Sequence, residues 1–309
     1  MAMGSLHVPV MVREVLEALR VEQGGWCVDC TEGLGGHTKA ILEAHPDAQV
    51  LGVDMDPHAL DLAARSLAPF GQRFRPVHAN FKDVEAWRPL LPEAPRAILV
   101  DLGLSGFQLK TSRGFSFNDS ASLDMRMNPL SGPSAAEFLE GASEDDLAGV
   151  IRKYGEEPMA RRIAKAVIEA RDRGELGDAS GLAAVVKSAI PKRFHGDIHP
   201  ATRTFQAIRI HINRELEGLG DFLERAVDEL AKGGRIAVLA YHSLEDRIVK
   251  QTFRALAKGC VCPPRLPVCA CGRKPKLSLV GSRAQRPTPS EVAANAASRS
   301  ARLRVGERL

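Results

Sequence analysis

Long apolar runs are missing from this chain of 309 residues. It has no stretch of about 18 uncharged apolar residues, which a membrane-spanning helix needs, and its first residues lack the basic-then-apolar order of an export signal. We therefore expect a cytoplasmic protein whose six cysteines stay reduced. With 44% hydrophobic and 26% charged residues, the composition is typical of a folded chain with one large domain and a smaller one.

A glycine-rich turn lies near the start of the chain. Residues 29–38 read DCTEGLGGHT, between a short apolar run and a helix-patterned stretch. Glycines let backbone N–H groups approach a ligand where a Cβ would clash. About 20 residues further on, a second apolar run ends at an aspartate, whose carboxylate can accept hydrogen bonds from both hydroxyls of a ribose. This order predicts a nucleoside-binding site formed by Gly33, Gly35, Gly36 and Asp54.

The spacing of the glycines helps to choose the ligand. Dinucleotide-binding turns usually read G-x-G-x-x-G, and the third glycine lets the helix pack closely below a pyrophosphate. Here Gly36 is followed by His37, Thr38 and Lys39, so the turn offers no obvious place for a pyrophosphate. S-adenosylmethionine, which carries adenosine without phosphates, is therefore favoured. An NAD(P)-dependent oxidoreductase with the same sheet stays open as an alternative.

Apolar strands alternate with helical stretches in the first third of the chain. Strands are predicted at 26–30, 50–54, 74–79 and 97–103, and helices at 11–20, 37–45 and 57–67. Such alternation predicts a parallel sheet with ligands gathered at the carboxyl ends of its strands. The fold class is therefore α/β, with a Rossmann-like and mostly parallel sheet.

The middle of the chain changes character. Residues 104–133 are rich in Gly, Ser, Asn and Met without a sustained period, which predicts a long functional loop. Residues 135–189 are helical in texture. We therefore expect a sheet domain from 1–130 and 203–309, interrupted by an inserted helical domain at 131–202. The later elements are a helix at about 203–232 that Gly218 and Gly220 divide, a strand at 234–241, and an antiparallel edge pair at 277–280 and 302–305.

Positive charge is concentrated near the end of the sequence. The net charge is only +4, but Lys258 to Leu309 holds eleven Lys and Arg against two Glu, which gives this segment +9 and the rest −5. A second basic stretch spans 190–214. A basic segment beside an acidic body suggests a polyanion such as RNA or DNA, although charge alone is equally typical of a solvated face.

The cysteines form two groups. Cys27 and Cys30 accompany the first strand, where we expect buried and inert thiols. The remaining four follow a C-x-C, six-residue, C-x-C pattern in a basic, proline-containing stretch: Cys260, Cys262, Cys269 and Cys271. Four thiolates could bind a structural zinc ion. Because C-x-C is tighter than the usual C-x-x-C spacing, the sequence leaves this zinc site open and predicts no catalytic metal.

Motifs along nearly the whole chain carry a family resemblance. They are HVPVM, DCTEGLGGHT, GVDMDP, ANF, DLGLSGFQL, RGFSF, LDMRM, HPATRTFQAIRI, YHSLEDRIVK and RSARLRV. In this order the chain resembles the bacterial small-subunit ribosomal RNA cytosine-N4-methyltransferases, historically the MraW proteins. The resemblance implies a class I methyltransferase fold with an inserted helical domain and S-adenosylmethionine as the methyl donor. It also implies that the acceptor is a cytidine in the decoding region of 16S rRNA.

The resemblance also implies a set of donor-binding residues. Besides the glycine turn and Asp54, Phe81 can stack on adenine and Asp101 can bind the ammonium group. The full set is Gly33, Gly35, Gly36, His37, Asp54, Phe81, Asp101 and Gln108.

The implied reaction needs further side chains. The exocyclic amine of cytosine is a poor nucleophile because its lone pair is delocalised into the ring, so an acceptor for its hydrogens should help. Asp101, Ser105 and His242, with Ser243, are the candidate catalytic acceptors, and spacing does not rank them. A target base must also leave its stack and meet an aromatic side chain. Phe107, Phe115 and Phe117 are the candidate platforms.

The implied partner is 16S rRNA in the small ribosomal subunit. We expect Arg193, Arg203 and Arg209 to contact phosphates, while the apolar residues between the last two belong to the core. No membrane partner is expected, and the sequence leaves a homodimer open. A ribosome-binding assembly factor with a vestigial pocket is the remaining alternative.

Overall fold

The computed structural model describes residues 8–104, 108, 111–117, 122–196, 198–260, 262–263, 268 and 270–309. These residues form two compact units. The first combines Met1–Gly103 with Glu217–Leu309, and the second is Leu104–Leu216. Each unit has its own buried core.

The first unit contains a sheet of seven strands in the order β3-β2-β1-β4-β5-β7-β6. The strands are β1 Gly25–Asp29, β2 Ala48–Asp54, β3 Phe74–His78, β4 Ala97–Asp101, β5 Arg235–Ala240, β6 Leu277–Gln285 and β7 Arg302–Arg308. Strands β1 to β5 pair in parallel, and β7 pairs antiparallel with both β5 and β6. The structure thus confirms the Rossmann-like, mostly parallel sheet and the antiparallel edge pair.

Twelve α-helices accompany the sheet among the residues that the structure describes. In chain order they are α1 Val12–Leu19, α2 Gly36–Ala44, α3 Pro57–Ser66, α4 Val84–Trp87, α5 Ala135–Gly141, α6 Glu144–Gly155, α7 Ala160–Asp172, α8 Ala179–Ala189, α9 Thr202–Asn213, α10 Leu219–Glu229, α11 Ser243–Ala257 and α12 Pro289–Ala294. Helices α5 to α9 belong to the second unit, and the others belong to the first.

Both faces of the sheet are buried at β1, β2, β4 and β5. Alternate residues of these strands join two separate clusters, so that Val28 packs on one face and Cys27 on the other. Strands covered on both sides are apolar at nearly every position, as the sequence showed. Cys27 and Cys30 are buried, as expected for inert thiols.

The second unit is wider than the insertion expected at 131–202. Its core includes Phe115, Leu123 and Met125 from the preceding loop, and Phe205 and Ile208 from α9. These apolar side chains pack with α5 to α8, so the segments on both sides of the helical stretch share its core. The pattern of apolar and polar residues predicts where helices occur, but it does not show which loop residues are buried with them.

Local signals explain the ends of several helices. Ser143 caps α6 by accepting a hydrogen bond from the N–H of Asp146, whose side chain reaches back to Ser143. Gly218 lies at the N-cap of α10 with φ 67°, so the stretch 203–232 forms two helices, as the glycine there predicted.

Candidate active site at the carboxyl ends of the parallel strands

Asp54 ends β2 and faces the glycine turn. Its Oδ2 accepts a hydrogen bond from the N–H of Gly33 at 2.7 Å, and its Oδ1 accepts one from the N–H of Asp56 at 2.8 Å. Burial raises the pKa of Asp54, and these two N–H donors partly offset that effect. The carboxylate is therefore oriented in advance, and it keeps lone pairs for further donors such as ribose hydroxyls.

Gly35 shapes the turn between β1 and α2. It precedes α2 with φ 80°, in the left-handed region that side chains with a Cβ rarely adopt. A Cβ at this position would also lie 2.8 Å from Cδ1 of Leu67. The next residue, Gly36, already begins the helix. The turn that was predicted to bind a ligand thus packs closely against Leu67, the residue that follows α3.

Glu32 lies beneath this turn and was not among the predicted site residues. Only 3% of it is exposed, and its Oε2 accepts a hydrogen bond from the Thr38 hydroxyl at 2.6 Å. Its Oε1 has no hydrogen-bond partner among the described residues. A Cβ on Gly52 would overlap the carboxylate, so β2 makes room for it. The one signal in the sequence was an acid within an apolar and glycine-rich motif.

A second buried carboxylate, Asp29, ends β1. It accepts hydrogen bonds from the Thr31 N–H at 3.1 Å and from the Thr38 hydroxyl at 3.4 Å. Burial raises the pKa of Asp29 to about 6, assisted by the charges of Asp101 and Asp54 and opposed by His37. Burial also raises the pKa of Glu32 well above its usual range, again assisted by the charge of Asp29. Both groups therefore hold a proton more tightly than an ordinary carboxyl group.

Asp101 connects three elements at the end of β4. Its N–H donates to the Thr31 hydroxyl at 2.7 Å, and its Oδ1 accepts a hydrogen bond from the Tyr241 hydroxyl at 2.7 Å. Nε2 of His37, in α2, lies 3.5 Å from its Oδ2. Burial alone would lower the pKa of His37, but the hydrogen bond and charge of Asp101 outweigh it and raise this pKa.

Tyr241 was not predicted as part of the site. Burial, together with the charge of Asp101, raises the pKa of its phenol well above the usual value. The hydroxyl therefore keeps its proton and donates a hydrogen bond to the carboxylate. Tyr241 follows β5 directly, next to the parallel strand β4. Its position beside His242 in the motif YHSLED was the signal available in the sequence.

The charged side chains of this site suit a cationic ligand that carries no phosphate groups. Two carboxyl groups, Asp54 and Asp101, lie at the ends of β2 and β4, and Nε2 of His37 lies 3.5 Å from the second of them. A pyrophosphate would be repelled there. The ammonium and sulfonium groups of S-adenosylmethionine instead complement the carboxylates. The residues present therefore fit S-adenosylmethionine better than NAD(P).

Phe81 and Gln108, two predicted donor-binding residues, belong to different units. Phe81 packs edge-on against Phe222 of α10, with ring centroids 4.8 Å apart, and its ring is half-buried. Its carbonyl accepts a hydrogen bond from Nε1 of Trp87 at 2.9 Å, which fixes the backbone. Gln108 is buried in the second unit.

His242 acts as the N-cap of α11. Its Nδ1 accepts a hydrogen bond from the N–H of Glu245 at 3.4 Å, and its Nε2 lies 3.0 Å from Oε1 of the same residue. Both ring nitrogens therefore face one carboxylate-bearing residue, which is the arrangement of a structural histidine. Ser105, the other predicted acceptor beside Asp101, lies outside the described residues, as does Phe107.

The three predicted RNA-binding arginines differ in exposure. Arg209 makes two hydrogen bonds with Glu215, at 2.9 and 2.8 Å, and its side chain is only 13% exposed. The Arg203 side chain is 48% exposed, with Nη1 3.5 Å from Oε2 of Glu157. The guanidinium of Arg193 lies 4.9 Å from the ring centroid of Phe194, which is itself 55% exposed. Arg193 and Arg203 thus present charge to solvent, whereas Arg209 stabilises the end of α9.

The two described aromatic candidates for base stacking also differ. Phe115 is buried in the core of the second unit, with 6% exposed, and offers no free face. Phe117 stacks in parallel on His199, with centroids 4.4 Å apart and an angle of 8° between the rings. Its platform is therefore already covered by an imidazole in this structure.

Three of the four cysteines in the C-terminal segment lie together. The Sγ atoms of Cys260, Cys262 and Cys271 are all within 4.8 Å of one another. Cys269 lies outside the described residues. In the described part of the chain, no helix has the length and apolar character needed to cross a membrane.

Comparison with known proteins gives a consistent result. A model of the "MraW methylase family" matches residues 4–309. "Ribosomal RNA small subunit methyltransferase H" of Syntrophotalea carbinolica is 47% identical over 98% of this chain and 98% of its own length. The protein of the same name from Geobacter sulfurreducens is 47% identical over 98% of this chain and 99% of its own.

Among solved structures, an rRNA methylase from Streptococcus thermophilus aligns over 100% of this chain and 99% of its own, with 12% identity and a TM-score of 0.40. The family match and the relatives that align over nearly their whole length establish the family without this structural comparison. This chain belongs to the MraW methylase family, whose methyl donor is S-adenosylmethionine.

Proposed function

We propose that this protein transfers a methyl group from S-adenosylmethionine to the exocyclic N4 amine of a cytidine in the decoding region of 16S rRNA. The observation that carries the proposal is the acidic, phosphate-repelling site around Asp54 and Asp101, which suits a cationic nucleoside donor. The names of the full-length relatives support small-subunit rRNA as the substrate. The N4 amine follows from the motif resemblance.

A few residues of the first unit each have a definite role in this proposal. Bound S-adenosylmethionine supplies an electrophilic methyl group on a sulfonium. Asp54 accepts hydrogen bonds from the ribose hydroxyls, in an orientation that Gly33 holds. Asp101 binds the ammonium group, and Tyr241 and His37 fix its carboxylate. Phe81 offers a ring face to adenine. Good alignment of this kind can lower the activation free energy by about 7 to 11 kcal/mol.

The acceptor for the amine hydrogens is the second task. Among the described candidates, Asp101 keeps acceptor capacity, because its contacts with Tyr241 and His37 use only part of its lone pairs. His242 directs both ring nitrogens at Glu245. We therefore favour Asp101 over His242, with Ser105 as the alternative from outside the described residues.

The second unit offers a surface suited to unpaired RNA. Phe194 is a large exposed aromatic side chain, and Arg193 lies over its ring. Unstacked bases bind to aromatic faces and arginine planes, while nearby positive charge holds the phosphates. We propose that Arg193 and Arg203 contact the rRNA backbone, and that Arg209 acts indirectly by holding the end of α9.

Methyl transfer to isolated small subunits tests the function. The full-length protein is incubated with isotopically labelled S-adenosylmethionine and with subunits that lack this modification, and the rRNA nucleosides are identified by mass spectrometry. Labelled N4-methylcytidine from the decoding region is expected. Label on another nucleoside would contradict the proposed acceptor. Binding to the subunit without any transfer would favour an assembly factor.

A ligand comparison tests the donor separately. S-adenosylhomocysteine should raise the unfolding temperature, whereas NAD at the same concentration should not, because the carboxylates repel its pyrophosphate. Stabilisation by NAD alone would support the oxidoreductase alternative.

A further inference from the structure

We propose that Cys260, Cys262 and Cys271 bind a structural zinc ion that closes the loop between α11 and β6. Their Sγ atoms lie within 4.8 Å of one another, and those of Cys260 and Cys271 are 3.8 Å apart. Thiolates of a tetrahedral zinc site are separated by about this distance, because each lies about 2.3 Å from the ion. The three side chains are therefore already arranged as ligands on one side of an ion.

The backbone brings the two ends of the loop together independently of the thiols. The N–H of Lys276 donates to the carbonyl of Leu256 at 2.9 Å, directly before β6 begins. A Cβ on Gly259 would lie 3.0 Å from Cδ of Pro275, so the outgoing and returning chains are in contact there. Cys260 and Cys271 follow and precede this point. The fold thus places them as a pair that an ion can bridge.

Burial of apolar side chains does little to order this loop. None of the described residues from Lys258 to Lys276 is buried, and Val268 is 75% exposed. The described residues of this segment lack a core of their own and need another source of order, and small segments of this type are commonly stabilised by a metal ion or by disulfides. The thiol cluster provides such a source.

The charge around the loop favours thiolates. No Asp or Glu occurs between residues 251 and 290, whereas Lys258, Arg273 and Lys274 lie close to the cysteines in sequence. Zinc with three thiolates carries one net negative charge, which these cations balance. Neighbouring cations also help each thiol to lose the proton that zinc displaces. Soft sulfur ligands select zinc over magnesium or calcium.

Metal analysis of the full-length protein tests the site. After purification in a reducing buffer and dialysis against metal-free buffer, we expect about one zinc per chain. Cys260→Ser, Cys262→Ser and Cys271→Ser should each lower the zinc content at least about tenfold. Cys27→Ala, which removes a buried thiol in β1, is the matched control and should keep the ion. Less than about a tenth of an equivalent in the wild type, even after incubation with zinc chloride, would overturn the proposal.

Limited proteolysis gives a second readout that does not depend on methyl transfer. Removal of zinc with a chelator should expose the loop to trypsin at Arg273, and added zinc chloride should restore resistance. The affinity for S-adenosylhomocysteine should stay unchanged in the cysteine variants, because no cysteine of the cluster belongs to the proposed donor site. An unchanged affinity shows that the variants remain folded. Equal cleavage with and without zinc would overturn the loop-closing role. A Cys260–Cys271 disulfide under reducing conditions would overturn the metal site itself.

Discussion

At the residue scale, the donor site is defined by carboxylates with different environments. Asp54 accepts two backbone hydrogen bonds, Asp101 accepts one from a phenol, and Asp29 and Glu32 are buried around Thr38. In the proposed function the first two bind the methyl donor, while the buried pair holds protons more tightly than ordinary acids do. Their roles therefore differ although their chemistry is the same.

Asp29→Asn should flatten the pH dependence of stability. The pKa of Asp29 is raised from 3.8 to about 6 in the folded state, so the folded protein holds a proton that the unfolded chain loses. The free energy of unfolding of the wild type should therefore fall as the pH rises from 3.8 to about 6. Asparagine has no proton to lose and keeps an acceptor for the Thr31 N–H. Urea unfolding across this range measures the difference.

The control for this change is Asp47→Asn, at an exposed aspartate just before β2. It should leave the slope of stability against pH as in the wild type. An Asp29→Asn protein with an unchanged slope would show that this carboxyl has the same pKa in the folded and the unfolded state.

Asp54→Ala should weaken donor binding and leave RNA binding intact. The change removes the acceptor for the ribose hydroxyls and for the Gly33 N–H, so S-adenosylhomocysteine affinity should fall by at least about tenfold. Isothermal titration measures this loss, and filter binding measures the affinity for rRNA. Asp61→Ala, at an exposed residue of α3, is the control. Equal losses of both affinities would contradict the assignment of Asp54 to the donor.

At the element scale, the strands and helices of the first unit could be predicted from the sequence because local patterns determine them. Apolar runs gave β1, β2 and β4, and glycine gave the break before α10. The extent of the second unit could not be predicted, because the burial of Phe115 and Phe205 depends on contacts between distant segments. For the same reason, the sequence pattern predicted Asp54 and the resemblance implied Asp101, but neither pointed to Glu32 or Tyr241.

Gly35→Ala should destabilise the first unit. The residue would have to keep φ 80° and its Cβ would crowd Leu67, so a loss of about 1 to 3 kcal/mol in the free energy of unfolding is expected. Gly149→Ala is the control of opposite sign. Gly149 lies exposed within α6 with open space around its Cα, so alanine there should stabilise by about 0.5 to 1 kcal/mol. Chemical denaturation of both variants checks the contrast; equal stability of Gly35→Ala and wild type would contradict it.

At the scale of the whole molecule, charge is distributed in a way that composition only suggested. Part of the basic C-terminal segment is used internally, since Arg302 and Arg304 pair with Asp246. Other cations of that segment form no ion pair within the described residues: Arg273, Lys274, Arg283 and Arg286. These charges are available to a polyanion, which agrees with the proposed rRNA substrate.

The two cores should respond differently to the donor product. S-adenosylhomocysteine at about 100 times its dissociation constant should add about 2.7 kcal/mol to the stability of the unit that binds it. Amide hydrogen exchange should therefore slow in β1, β2, β4 and α2. Helices α6 to α8, which share the core of the second unit, serve as the internal reference and should exchange as before. Stronger protection in α6 to α8 than in β1 would place the site elsewhere.

Gly52 and Glu32 have a joint consequence for how this sequence can vary. The Glu32 carboxylate and the Phe74 ring occupy the volume that any side chain at position 52 would fill. Alanine at 52 therefore requires both a shorter residue at 32 and a shift of the Phe74 ring, so a change at position 52 is conditional on position 32. Engineered libraries around this site should therefore randomise both codons together.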